Sequence, residues 1–146
     1  MEERRAHVLT IRILDFFLLF PAEIETTMIM PAQWRSWKSR FRAFRNKYFG
    51  SVSPQSVFMQ MSGPQVEGLR LLVSRRLIDP EEFQSDIVAL IAETLPPSLA
   101  ASIESRNSEE TELVEFLVSK LATLELRGLG GLKQRTGLVE YRYDAV

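Results

Sequence analysis

An apolar segment near the N-terminus limits the folds that are open to this chain. In residues 8–20 only Thr10, Arg12 and Asp15 are not apolar, so a helix formed there is apolar on almost every side and is stable only when buried. Pro21 ends that helix, because proline cannot continue the backbone hydrogen bonding. Arg12 and Asp15 argue against a membrane span, and the lack of a following small-residue cleavage pattern argues against a signal peptide. We therefore predict a core helix of a cytoplasmic protein; contact with a partner or a second copy is the alternative.

The remaining sequence predicts a compact, mostly helical single domain over residues 1–146, with a small β element. Prolines, capping residues and apolar periodicity predict an aromatic and basic helix over 31–48 and a helical core over 54–127, the core made of helices at 54–63, 64–77, 79–95, 98–104 and 108–127. The alternating pattern of residues 138–143 predicts a C-terminal strand. One strand is not stable alone, so residues 26–30 or another chain are its candidate partners.

Residue types that most enzymes need are scarce in this sequence. The chain has no cysteine and a single histidine, His7, which excludes disulfides, cysteine nucleophiles, most catalytic triads and metal sites with two histidines. The glycines at 128–131 follow a predicted helix and lack the lysine and serine of a phosphate-binding loop, so they indicate a helix end. We expect no catalytic residues, no cofactor and no metal site, and we expect His7 on the surface. An enzyme whose residues escape recognition is the least favoured hypothesis.

The formal net charge of -1 conceals a strong segregation of charge along the chain. Residues 1–50 carry nine basic and five acidic side chains, and residues 51–78 carry three and one. Residues 79–125 carry two basic and eleven acidic side chains, and residues 126–146 carry four and two. This division predicts two faces for two kinds of partner. The alternative is that acidic residues only keep those helices soluble.

Residues 31–48 combine aromatic and basic side chains at helical spacing. The aromatic stripe consists of Trp34, Trp37, Phe41, Phe44 and Tyr48, and a stripe at this spacing is typical of a core-facing surface. The six cations between them are Arg35, Lys38, Arg40, Arg42, Arg45 and Lys47, with no acid among them. We predict that these cations bind a DNA backbone or an acidic protein surface, with an anionic membrane a distant third.

Three stretches of this sequence resemble a known family. They are RILDFFLLFP at 12–21, SVFMQMSGPQ at 56–65 with its continuation to residue 79, and GLKQRTGLVEYRYD at 131–144. Together they resemble the middle component of bacterial ABC-three-component systems, a group that includes the small accessory subunit of Lamassu-type anti-phage defence complexes.

The resemblance implies an adaptor subunit without catalytic residues, in a complex with an SMC-like (Rad50-like) ATPase and an effector, often a nuclease. It does not assign the basic helix or the acidic segment to either partner. Arg135, in the glycine-rich turn before the terminal strand, either pairs locally or touches a partner subunit.

The alternative function is a small DNA-binding regulator with a winged-helix-like core. That core would be built on the helices at 54–63 and 64–77, although the second helix lacks a polar base-reading face.

Overall fold

A computed structural model describes residues 5–41, 53–91 and 95–139 of the chain. Within these ranges the elements follow one another in this order: β1 (Arg5–His7), α1 (Val8–Leu19), α2 (Glu23–Thr26), a first 3-10 helix (Ala32–Trp37), α3 (Pro54–Ser74), α4 (Pro80–Gln84), β2 (Ile87–Ala89), α5 (Pro97–Glu109), α6 (Thr111–Ser119), a second 3-10 helix (Leu121–Thr123) and α7 (Leu132–Thr136). The predicted fold class, mostly helical with a small β element, is confirmed. No helix in these ranges has both the length and the apolar character that crossing a bilayer requires.

Helix α1 forms the centre of the core, as its apolar composition predicts. Ile13, Phe16 and Phe17 are fully buried, and α1 packs against α3, α6 and the second 3-10 helix. The helix ends at Leu19, where the N–H of Phe20 still donates to the carbonyl of Phe16. The core also includes buried side chains from other elements, among them Ile24, Met28, Phe41, Phe58, Leu113, Phe116, Leu117, Leu121, Leu132 and Leu138.

His7 lies at the start of α1 and is half-buried rather than on the surface, which corrects the expectation for it. Its Nδ1 accepts a hydrogen bond of 3.0 Å from the N–H of Leu9. The side chain thereby satisfies one of the free N–H groups that every helix start leaves. Burial lowers the pKa of His7, and the nearby cations Arg127 and Lys133 lower it further, against the opposing effect of Asp86.

The prediction of one helix over 79–95 is wrong beyond Gln84, because a strand follows at Ile87–Ala89. Asp79 caps α4 as expected, since its carboxylate accepts from the N–H groups of Glu81 and Glu82, but α4 ends at Gln84. Asp86 adopts a positive φ of 63°, and β2 then pairs with β1 in an antiparallel ladder. The partner strand lies far away in the sequence, so no local pattern indicates that the chain extends here.

The two helices predicted at 54–63 and 64–77 are one continuous helix, α3, with Pro64 inside it. Its start is as predicted, because the hydroxyl of Ser53 accepts from the N–H of Ser56 at 3.1 Å. Gly63 precedes the proline and has no Cβ to collide with the proline ring, which removes part of the usual obstacle to a helix at this point. The winged-helix alternative depended on two separate short helices, and α3 removes that basis.

The remaining predicted boundaries differ from the structure in detail. The helix expected at 98–104 is the longer α5, which has no buried residue. The helix expected at 108–127 is shorter, because α6 ends at Ser119 and the second 3-10 helix follows. Leu138 and Val139 are not part of a strand, and the rest of the predicted C-terminal strand, 140–143, lies outside the described residues. Residues 28–30 form neither helix nor strand.

Candidate interaction surface

The aromatic side chains of residues 32–41 pack into the core around one ring. The centroids of Trp34, Trp37 and Phe41 lie 6.2, 5.4 and 5.8 Å from that of Phe116. Phe41 and Phe116 are buried, and both tryptophans are half-buried. For these three positions the prediction of a core-facing stripe is confirmed, while Phe44 and Tyr48 lie outside the described residues.

The described part of the predicted helix over 31–48 is a 3-10 helix followed by turns, not an α-helix. Its hydrogen bonds span three residues: Trp34 donates to the carbonyl of Pro31, and Lys38 donates to that of Arg35. A 3-10 helix has three residues per turn, so side chains three apart lie one above the other. That geometry brings Trp34 and Trp37 to the same side of the helix, where both reach Phe116.

The same repeat places Arg35 and Lys38 one above the other on a different side. Both side chains are exposed, and they line a cavity of about 650 Å³ whose opposite wall is formed by residues 25–30. Glu25 is the one acid in that wall. Neither Arg35 nor Lys38 takes part in the ion pairs formed among the described residues. The two cations thus line the cavity together with Glu25.

Arg40 differs from Arg35 and Lys38 because it is held by neighbouring side chains. Its guanidinium lies 2.8 Å from the carboxylate of Glu112 and 4.4 Å from the ring centroid of Trp37. The basic segment and the acidic α6 thus touch each other at this point. The remaining predicted cations, Arg42, Arg45 and Lys47, lie outside the described residues.

Arg135 contacts its own chain at two points, one close in the sequence and one distant. Its Nε donates to the carbonyl of Gly130 at 2.8 Å, and its Nη1 donates to that of Ile29 at 3.1 Å. The N–H of Ile29 in turn donates to the carbonyl of Arg135 at 2.7 Å. Arg135 therefore fastens the loop that forms one wall of the cavity at Arg35 and Lys38.

Two further basic residues, which are not among the predicted binding residues, contact aromatic rings. Lys120 places its Nζ 5.9 and 5.8 Å from the ring centroids of Trp34 and Trp37. Arg12 lies 4.3 Å above the ring of Phe58. A signal for Arg12 exists in the sequence, since a charged residue inside an apolar helix needs a specific partner when it is buried. Lys120 carries no such local signal.

Gln65 supplies the partner for Arg12 and connects α1 to α3. Its Oε1 accepts from Arg12 Nε at 2.7 Å, and its Nε2 donates to the carbonyl of Arg12 and to a carboxylate oxygen of Asp15. Both charged residues that interrupt the apolar segment are therefore bound by one neutral amide. Burial lowers the pKa of Arg12, because taking a guanidinium out of water disfavours its charged form.

The described residues contain no group of three or more histidine, aspartate or glutamate side chains placed to hold a metal ion. A comparison with family models finds one that matches residues 1–144, described as "ABC-three component (ABC-3C) system Middle Component 5". No curated protein and no solved structure matches the chain.

Proposed function

The chain belongs to the Middle Component 5 family of ABC-three-component systems, and from this premise we propose that it is a non-enzymatic accessory subunit. In this proposal it joins an SMC-like (Rad50-like) ATPase to an effector subunit such as a nuclease. The complex would act in bacterial defence against phages or plasmids, as in Lamassu-type systems. The chain itself contributes binding surfaces, and catalysis belongs to its partners.

This role is supported by the different surroundings of the aromatic and the basic side chains in residues 32–41. The aromatic rings are used to build the core around Phe116, while Arg35 and Lys38 face a common cavity. A concave cationic site suits an acidic side chain that protrudes from a partner, because charge complementarity guides encounter and selects the partner. We propose that Arg35 and Lys38 form one contact between the chain and a partner subunit.

Co-purification of the tagged chain with the other two components of its system tests the adaptor role. We expect the wild-type chain to retain both partners, and Arg35→Gln with Lys38→Gln to weaken the retention of one partner by about 2- to 30-fold, since each exposed charged contact contributes about 0.2–1 kcal/mol. The matched control is Arg70→Gln with Arg106→Gln, which also removes two exposed cations from helices. A wild-type chain that retains neither partner would contradict the adaptor role.

Contact with a DNA backbone is the second candidate for the same cations. It predicts binding of duplex DNA at low salt, with an affinity that falls as salt rises. Neutralising Arg35 and Lys38 should then reduce the slope of log affinity against log salt by about 1.8, at about 0.9 for each phosphate that is no longer neutralised. A gel-shift experiment over a salt series measures this slope, and an unchanged slope would remove these two residues from any DNA contact.

A further inference from the structure

A second concave surface lies on the side of the molecule where α1, α3 and α7 meet. It is a groove of about 980 Å³, larger than the cavity at Arg35 and Lys38. Helix α3 contributes one face of its first two turns, with lining residues Gln55, Phe58, Met59 and Ser62. At a rise of 1.5 Å per residue that face is about 10 Å long, which matches about two turns of a docked helix.

The groove combines an apolar floor with an exposed apolar rim. Phe58 and Leu138 line it and are almost completely buried. Met59 lies at the edge of the groove with 72% of its surface exposed. Methionine is flexible and polarisable, and it is common on surfaces that bind peptides. The exposed Gln55 and Gly137 show that the groove is open along one side, unlike a site that encloses a small molecule.

The two charged residues that line the groove are both cations, Arg12 and Lys133, among the residues the structure describes. The Arg12 guanidinium contacts neutral groups: the amide oxygen of Gln65, the carbonyl of Phe58 and the Phe58 ring. Lys133 is buried, with 9% of its surface exposed. The partly buried Arg12 guanidinium, which contacts neutral acceptors, gains from a carboxylate, because charge-assisted hydrogen bonds are about twice as strong as neutral ones.

We propose that this groove is the docking site for an acidic and aliphatic peptide segment of a partner subunit. Aliphatic side chains of the segment occupy the floor at Phe58 and Leu138, and a carboxylate pairs with the cationic end at Arg12 and Lys133. This inference rests on the proposed function, because the segment belongs to another component of the same system. It adds a second contact to the one assigned to Arg35 and Lys38.

Photo-crosslinking from the rim of the groove identifies the occupant. Met59 is replaced by p-benzoylphenylalanine in the full chain, the three components are reconstituted, and the crosslinked peptide is identified by mass spectrometry. We expect a partner peptide in which an aspartate or glutamate lies within two positions of an aliphatic residue. The matched control carries the same group at Leu71, which is 55% exposed on the same helix and does not line the groove. Crosslinks to residues 140–146 of the same chain, to a second copy, or to no peptide would each overturn the proposal.

A charge introduced at the rim gives an independent test. Met59→Glu should lower the affinity for one partner at least tenfold, because it repels the acidic segment and removes an apolar contact. Leu71→Glu should leave that affinity unchanged, and both exposed positions should leave the circular dichroism spectrum as in the wild type. If the wild-type chain retains its partners and Met59→Glu binds them equally well, the groove proposal fails and the adaptor role remains. If the wild-type chain retains no partner, both fail.

Discussion

Gly131 occupies a position where the backbone leaves no room for a side chain. A Cβ at this residue would lie 2.6 Å from the carbonyl oxygen of Arg127 and 2.8 Å from that of Glu125. The carbonyl of Glu125 is fixed in turn, because the N–H of Leu132 donates to it at 2.7 Å. Gly131→Ala should therefore lower the free energy of unfolding by about 1–3 kcal/mol, the usual cost of overpacking.

Gly68 is the matched control for Gly131. It lies inside α3, and no heavy atom lies within 4 Å of the place that an alanine methyl group would occupy. Alanine there only restricts the unfolded chain and improves helix propensity, so Gly68→Ala should raise the free energy of unfolding by about 0.5–1 kcal/mol. Urea unfolding at equilibrium measures both changes, and equal effects of the two substitutions would contradict the packing described around Gly131.

His7 makes the stability of the fold depend on pH. Its pKa is lowered in the folded chain, so below its ordinary value of about 6.5 the unfolded chain binds more protons than the folded one. The free energy of unfolding should therefore fall as pH decreases through about 6.5, until the folded pKa is passed. Protonation of Nδ1 also removes the acceptor for the N–H of Leu9.

The variant His7→Asn isolates this effect, because asparagine caps a helix without titrating. Urea midpoints at pH 7 and pH 5.5 should differ less in the variant than in the wild type, while the carboxylates common to both contribute equally. An identical pH dependence in the two proteins would show that His7 does not carry it.

Single residues were predictable from the sequence where their role depends on neighbours in the chain. The capping roles of Ser53 and Asp79 belong to this class, because both partners lie within three residues. Arg12 does not: its partners Gln65 and Phe58 are 53 and 46 positions away, and no local pattern connects them.

Helix α3 continues through Pro64 at an energetic cost, since the proline lacks the N–H that would bond to the carbonyl of Gln60. Pro64→Ala restores that donor and should raise the free energy of unfolding by about 1–3 kcal/mol. Pro54→Ala is the control, because proline at the first helical position lacks only an N–H that has no partner in the helix. Thermal unfolding followed by circular dichroism compares them, and a larger gain at Pro54 would contradict a regular helix at Pro64.

The ends of helices and strands were likewise predictable only where their cause lies close by in the sequence. The bounds of α1 were predictable because a long apolar run meets Pro21, and both signals are local. The end of α4 was not, because β2 forms by pairing with β1 and this pairing outweighs the helical spacing of Phe83, Ile87 and Leu90. The 3-10 helix was missed because Trp34 and Trp37 are three apart, a spacing that an α-helix also allows.

Helix α1 shares one hydrophobic cluster with side chains of α2, α3, α6 and α7, so we expect the molecule to unfold as a unit. Helix α1 contacts both α3 and α6, and Trp34 and Trp37 report on the same core through Phe116. We expect the urea transitions followed by tryptophan fluorescence and by far-ultraviolet circular dichroism to coincide, as they do for two-state domains. Two separate transitions would contradict the prediction of a single domain over 1–146.

The charge segregation of the sequence is only partly kept across the whole molecule. Arg40 pairs with Glu112 and Arg5 pairs with Glu82, so the basic N-terminal and acidic central segments meet in space. Exposed pairs of this kind contribute little to stability, about 0.2–1 kcal/mol each. Arg35 and Lys38 are outside the ion pairs formed among the described residues, and they line one cavity.

The exposed helix α5 has a practical consequence for experiments on the assembled complex. None of its residues is buried, and the chain contains no cysteine. Ser105→Cys, at an exposed position on α5, would therefore introduce a single reactive thiol without replacing a buried side chain. A fluorophore or spin label attached there gives a distance marker on this subunit, from which its position relative to labelled partners can be measured.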